Sequence, residues 1–497
     1  MEYDCVLSLI PPYTINTPSS GLALLHTYLK EKGINIQTID FSPGFYYKYL
    51  KDFDINHSFK FKINIFPLIG YTLLLFDSKN FFSIKNVGKH FLESLSPIHL
   101  DLFNEIFQNL RDKTAKFYNI LDKYVQNLIS FDTNIYAFSV NITNVIATLK
   151  VIQNIKRLKP NSIIILGGPE TFPTYRRDLY VNLDIIDYVI YHNDGTYPLF
   201  KLIDSLKQKS NLSIVPGLAL KKNNHIYITE LPPKINLNDL PFPIYDELTY
   251  FDYKFKNFQK LELLATKGCD GRCSFCNEPS IWNPIISKSP NNILKEIKYY
   301  LKNYGIDKFE ISDNAFNITT NFTNALKLLD QENLHISFGG NCKLNNLNQN
   351  RIKIFKKYGL THCFYGLESG SQKVLNLMKK DLNIRSATKL IRLTSELDID
   401  VVLYLIIGFP GELDIDFEST INFLDDNRNY IDDIIISVFT LMNNSPIFNS
   451  KSVIPIRLGP KILNCFTYKT QDGITHKKRA ERYLKIKEFW EPIHNVN

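Results

Sequence analysis

Short apolar runs alternate with helical periodicities along most of the chain. Cys5 to Ile10 is the first run, stopped by Pro11 and Pro12. Leu22, Leu24, Leu25 and Leu29 then share one face of a helix predicted from Gly21 to Lys32. Gly33 ends that helix, and Ile34 to Ile39 predicts a second strand closing on Asp40. The rhythm resumes with strands at Ile135–Val140, Ser162–Leu166 and Asp187–Tyr191, and helices at Thr143–Lys156 and Pro198–Leu206. Such alternation predicts a parallel, doubly wound sheet, whose ligands lie beyond the carboxyl ends of its strands. Those ends hold Thr17 to Gly21 (with Ser19), Ser139 to Thr143 (with Asn141), Gly167 to Thr171 (with Gly168 and Glu170), and His192 to Thr196. Small, polar and glycine residues there let a large ligand approach the backbone.

Between Phe41 and Phe131 the rhythm breaks into an aromatic stretch, helical at Phe91–Leu110 and Lys116–Ile129 and too long for an ordinary connection. It reads as an insertion packed on the first domain, with a cap over a ligand as the sharper alternative. Prolines 216, 232, 233, 241 and 243 then gather in a helix-poor stretch, Val215 to Tyr253, that reads as a linker. A second strand–helix series follows. Its strands are predicted at Leu261–Thr266, Lys308–Ser312, His335–Phe338, His362–Gly366, Val401–Ile407 and Asp433–Val438. Helices are expected at Asn291–Tyr304, Asn321–Gln331, Asn348–Tyr358 and Ile384–Leu397. Beyond Phe439 the pattern fades until a basic helix, His476–Trp490, whose Lys477, Lys478, Arg479 and Arg482 read as a solvated face. The expected organisation is an α/β domain over 1–210 with an insertion at 41–131, a linker over 211–255, a second α/β unit over 256–440 and an extension over 441–497.

The 497 residues suit two or three domains, and a hydrophobic fraction of 44% can fill their cores. A net charge of +8 from scattered lysines does not announce nucleic acid. The start, MEYDCVLSLIPPY, reads as neither signal nor transit peptide. Ile63 to Phe76 is too short for a membrane span and carries Asn64 and Pro67. A reduced, cytoplasmic setting is expected, with the isolated Cys5, Cys342, Cys363 and Cys465 as small core residues.

The remaining three cysteines change the picture. Lys267 to Asn277 reads KGCDGRCSFCN, spacing Cys269, Cys273 and Cys276 as C-x-x-x-C-x-x-C with Phe275 before the third. Three thiols so close argue for a metal centre rather than disulfides. A structural zinc site wants four ligands, and no local Cys or His offers a fourth. A cubane iron–sulfur cluster held by three thiolates keeps one iron open.

This spacing resembles the radical S-adenosylmethionine (SAM) superfamily, and so do the strand ends that follow. The resemblance implies a partial (β/α)6 TIM-like barrel with a [4Fe–4S] cluster on Cys269, Cys273 and Cys276, its open iron chelating SAM. In Ser312-Asp313-Asn314, the turn would face the SAM amino group, Asp313 accepting from the ammonium. Asp and Asn are also ordinary turn and cap residues. In Gly366-Leu367-Glu368-Ser369-Gly370-Ser371-Gln372, Glu368 and Ser369 would hydrogen-bond the sugar or amino-acid part, while Ser371 suits a helix cap. In Tyr404 to Glu412, YLIIGFPGE, the turn with Gly408 and Pro410 would meet the adenine.

The pattern P-P, then P-S-S-G-L-A-L-L, then L-G-G-P resembles the Rossmann- or flavodoxin-like cobalamin-binding domain that precedes many radical SAM enzymes. Ser19, Gly21, Ser139, Asn141, Gly167, Gly168 and Glu170 would line that site, although D-x-H-x-x-G, the motif whose His ligates cobalt, is missing. The resemblance implies cobalamin-dependent methylation of an unactivated carbon in a peptide or natural product. It also implies an external electron donor such as flavodoxin or ferredoxin. A non-methylating cyclisation, rearrangement or oxidation is the alternative.

Overall fold

The computed structural model describes residues 2–11, 13, 17–45, 117–141, 144–172, 174–252, 258–442, 445–458 and 465–494. The expected helix Phe91–Leu110 and the apolar run Ile63–Phe76 lie outside them.

Two parallel sheets organise the chain. The first contains β1 (Cys5–Leu9), β2 (Ile36–Asp40), β3 (Ile135–Ser139), β4 (Ile163–Gly167), β5 (Tyr188–Ile190), β6 (Leu218–Lys222), β7 (His225–Ile228) and β8 (Thr249–Tyr250). Its order is β7-β6-β5-β4-β3-β1-β2-β8. The stretch from β5 through to β8 is parallel, and β6 and β7 add antiparallel strands at one edge. The proline-rich stretch is therefore more than a linker. Its start is a hairpin and its end a two-residue edge strand, because Leu218 and Ala219 alternate into the core where Pro is absent.

Helix Ser20–Glu31 buries Leu22 and Leu29 against this sheet and is capped by Ser19, whose Oγ accepts from the Leu22 N–H at 3.3 Å. The described part of the insertion, helix 117–129, packs Leu121, Tyr124 and Leu128 into the core of the same sheet with Tyr136 and Phe138.

The second sheet contains β9 (Leu261–Leu263), β12 (Lys308–Ile311), β13 (Ser337–Cys342), β14 (Leu360–Glu368), β15 (Asp400–Ile407) and β16 (Asp433–Val438), in that spatial order and all parallel. This is the strand succession of a partial barrel. Val401, Leu403, Leu405 and Ile407 alternate into the packed core, while Tyr404 and Ile406 are half-buried and line a cavity. Between β9 and β12 a small ladder pairs β10 (Thr266–Lys267) with β11 (Ile286–Ser287). The two sheets share one apolar core in which Leu22 and Leu29 join Tyr245, Leu261 and Tyr300. Glu262 of β9 also accepts hydrogen bonds from Thr17 Oγ1 at 2.9 Å and Ser20 Oγ at 2.5 Å across the junction.

Past β16 the chain forms a hairpin, β17 (Val453–Leu458) with β18 (Cys465–Thr470), and helix His476–His494. The expected solvated basic face is half wrong. Arg479 is 0% exposed, its Nε donating to Gly408 O at 2.9 Å, and Arg482 Nη1 donates to Glu412 Oε2 at 2.7 Å. Both guanidiniums fold inward because buried carbonyl and carboxylate groups at the end of β15 need donors. Among the described residues no helix is long and apolar enough to cross a membrane.

Candidate active site

The cysteine loop is tied down at both ends and at its crown. Asp313, at the end of β12, accepts from the backbone N–H of Ala265 at 2.8 Å and Thr266 at 2.9 Å, fixing the chain as it enters the loop. The β10–β11 pairing closes the base, and Gly268 takes a φ of +99° there. At the crown, Ser274 N donates to Met378 O at 2.8 Å and Ile447 N donates to Ser274 O at 2.8 Å. The extension beyond β16 is therefore a wall of this site.

Cys269, Cys273 and Cys276 are free and half-buried. Backbone N–H groups of Gly271 and Glu278 donate to the sulfurs of Cys269 and Cys276 at 3.3 and 3.4 Å, an environment suited to thiolates. Burial pushes the Cys273 and Cys276 thiols up, so their anionic form needs a bound cation. Among the described residues no three His, Cys, Asp or Glu side chains converge on a point where one metal ion would sit. A cluster places its irons at separate corners, and three thiols around a mouth fit that arrangement.

The thiols rim a cavity of about 1170 Å³ at the carboxyl ends of the second sheet, with Glu368, Lys380 and Tyr404 on its walls. Lys380 Nζ lies 2.8 Å from Glu368 Oε1 and 6.0 Å from the centre of the Phe275 ring. Burial works against the Lys380 ammonium, but the charges of Glu368 and Cys273 outweigh it and raise its pKa. Glu368 holds a φ of +70° at a register shift in β14, a conformation costly for a residue with a side chain. Gly366 leaves room for this pair, since a Cβ there would lie 2.6 Å from Glu368 Oε1 and 2.7 Å from Lys380 Nζ. Across the mouth Lys343, just after β13, pairs with Asp270 at 2.5 Å.

A second cavity, of about 350 Å³, lies where the carboxyl ends of the first sheet meet the cysteine loop. Gly21, Ser139, Gly167 and Gly168 line it from the first sheet. Lys267 faces them from the loop, its Nζ 4.4 Å from the centre of the Trp282 ring, and burial lowers its pKa.

The predicted residues thus fall into two groups. The three cysteines, Phe275, Asn314 and Glu368 line the large cavity, and Gly21, Ser139, Gly167 and Gly168 line the small one. The others stand behind the walls. Asp313 is 1% exposed and braces the loop. Ser369 Oγ sits 3.2 Å from Thr420 Oγ1, and Ser371 caps helix Gln372–Leu377. Gly408 is pinned by Arg479 and Pro410 is buried beside it. Ser19 caps a helix, Asn141 exchanges hydrogen bonds with Asn144, and Glu170 accepts from Tyr180. Sequence reasoning missed Lys380, Lys343 and Asn341. The last two were hidden because the third barrel strand runs four residues past its expected end, to Cys342.

The Radical SAM superfamily model matches residues 263–424, from the end of β9 through the helix after β15. Residues 263–424 form a radical SAM domain. A radical SAM domain implies a [4Fe–4S] cluster and SAM. Among curated relatives, an uncharacterized methyltransferase of Pyrococcus horikoshii is 25% identical over 300 residues, 59% of this chain and 64% of that protein. An anaerobic magnesium-protoporphyrin IX monomethyl ester cyclase of Synechocystis is 24% identical over 52% of each chain. The matches thus span little more than half the length of these relatives. Among solved structures, the radical SAM methyltransferase TsrM of Kitasatospora setae, with cobalamin and a [4Fe–4S] cluster bound, superposes with a TM-score of 0.61 at 14% identity. That likeness covers 97% of this chain and 85% of TsrM, and it shows the two-sheet fold to be shared.

Proposed function

We propose that the protein is a cobalamin-dependent radical SAM methyltransferase that methylates an unactivated carbon of a peptide or other natural product. The observation that carries this reading is the meeting of two cavities on one cysteine loop, one built for a cluster and SAM, the other at the ligand edge of a doubly wound sheet. When bound, the reduced cluster supplies the electron that cleaves SAM to a 5′-deoxyadenosyl radical, and cobalamin supplies the methyl group.

The chain's own residues do the positioning. Cys269, Cys273 and Cys276 would hold the irons. Lys380 offers its ammonium to the SAM carboxylate, and Glu368 accepts from the amino group or ribose beside it. Phe275 and Tyr404 give apolar walls that exclude water from the reacting carbon. On the first sheet Gly167 and Gly168 let a macrocycle reach the backbone. The 350 Å³ cavity would take part of a corrinoid, and Gly21 on its wall leaves open space, since an added Cβ there meets nothing within 4 Å. An external electron donor such as flavodoxin or ferredoxin reduces the cluster.

Protein purified without oxygen and reconstituted with iron, sulfide and hydroxocobalamin tests the reading. Iron–sulfur absorption, near-stoichiometric cobalt after desalting, and both 5′-deoxyadenosine and S-adenosylhomocysteine as products are expected. Cluster without cobalt, with 5′-deoxyadenosine alone, would replace it with a non-methylating radical reaction, the reading that the cyclase relative favours.

A further inference from the structure

The walls of the two cavities share two residues, Glu278 and Asn314, and these two are bonded to each other: Asn314 Nδ2 donates to Glu278 Oε1 at 2.6 Å. Each partner is anchored to one end of the cysteine loop. Glu278 opens the short helix Glu278–Ile281 directly after the loop, and its N–H donates to Cys276 Sγ. Asn314 follows Asp313, whose carboxylate holds the residues entering the loop. Asn341 Nδ2 steadies this turn from β13 by donating to Asp313 O at 3.3 Å. The two cavities meet at this side-chain hydrogen bond, in which Asn314 is exposed and Glu278 half-buried. Such a contact opens by a change of rotamer, which a backbone partition cannot do without moving the loop.

We propose that the Glu278–Asn314 pair is the divider between the radical chamber and the methyl-donor chamber, and that it positions the substrate by opening only where the substrate carbon enters between them. The inference rests on the methyl-transfer reading above. Its chemical logic is separation. The carbon to be methylated must meet the radical on one side and the methyl donor on the other, while radical and donor must not meet each other. A divider made of two polar side chains also selects a substrate that carries a hydrogen-bonding group next to that carbon, because the opened carboxylate and amide then need new partners.

Azide exchange at the cobalt of enzyme-bound hydroxocobalamin, followed by absorbance with and without SAM, tests this. In the wild type the divider blocks the route from the cluster side, so SAM leaves the exchange rate unchanged. Glu278→Ala and Asn314→Ala open that route, and exchange accelerates about fivefold or more, as expected for removal of one hydrogen bond from a barrier. SAM, by filling the cluster chamber, returns both variants to the wild-type rate. Glu278→Gln keeps an acceptor for Asn314 and exchanges like the wild type. Cobalt-loaded Ala variants that exchange at the wild-type rate, or an acceleration that SAM does not reverse, would overturn the divider. A wild type that cleaves SAM but retains no cobalt would instead overturn the methyl-transfer reading, and the divider with it.

Discussion

The two cavities are built by opposite means. Around the large one, recognition is carried by side chains with strong chemistry: three thiols, the Lys380–Glu368 pair and the Lys343–Asp270 pair. Around the small one it is carried largely by what side chains leave free, Gly21 and the glycine and small-residue ends of β3 and β4. A site of the first kind fails when a functional group is removed. A site of the second kind fails when a group is added.

The largest expected effect falls on the first kind. Cys273→Ala should take cluster iron to background and abolish 5′-deoxyadenosine formation, because two thiolates do not hold the cubane. Cobalt retention by the first sheet should stay at the wild-type level. If cobalt is lost as well, the two sites are not separable and the comparison breaks.

Gly168→Val is the converse. Gly168 sits at φ +111°, and a Cβ there would lie 2.5 Å from Val140 O, so the edge between β3 and β4 must shift. Strain of this kind costs of order 1–3 kcal/mol, enough to lower cobalamin retention about tenfold. Iron content and SAM cleavage should be unchanged, and metal counts on the same sample check both.

Lys380→Ala should act within the large cavity alone. It removes a charge-assisted contact and leaves the Glu368 carboxylate, 7% exposed, without its partner. The KM for SAM should rise about tenfold, with Lys380→Arg recovering part of it, measured as 5′-deoxyadenosine formed against SAM concentration.

The same contrast explains what could be read from the sequence. Thiol spacing and a run such as Gly366 to Gln372 carry their chemistry in residue type, so the cluster loop, Glu368 and the six barrel strands were legible. The strand–helix rhythm likewise gave β1 to β5. Lys380 was not legible, because a lysine following another lysine reads as solvent-facing until the fold closes it against Glu368. Arg479 and Arg482 were misread for a related reason. Helical periodicity places them on a face but cannot say that the face docks on the end of β15. Gly408 shows the cost of that gap. Expected as an adenine contact, it is a glycine into whose space Arg479 packs, since a Cβ would lie 2.3 Å from Arg479 Cγ.

Asp313 is where the sequence expectation and the geometry differ most sharply, although its effect should be the smallest. Burial pushes its carboxyl up to about 7, outweighing the N–H donors of Thr266 and Ala265 and the Lys288 charge. From the ordinary carboxyl value of 3.8 up to about 7, the folded chain keeps a proton that the unfolded chain has released. The stability this group contributes is therefore complete below the unfolded value and is lost as pH rises through 7. Asp313→Asn mimics the protonated form, with an oxygen left to accept from Ala265 and Thr266. Its melting temperature should match the wild type near pH 3.5 and exceed it by about 1–3 °C near pH 8. A brace of the loop predicts that shift with the KM for SAM nearly constant. A direct contact with the SAM ammonium predicts the reverse, a large rise in KM at every pH and no gain in stability, so the two measurements on one variant decide which role Asp313 has.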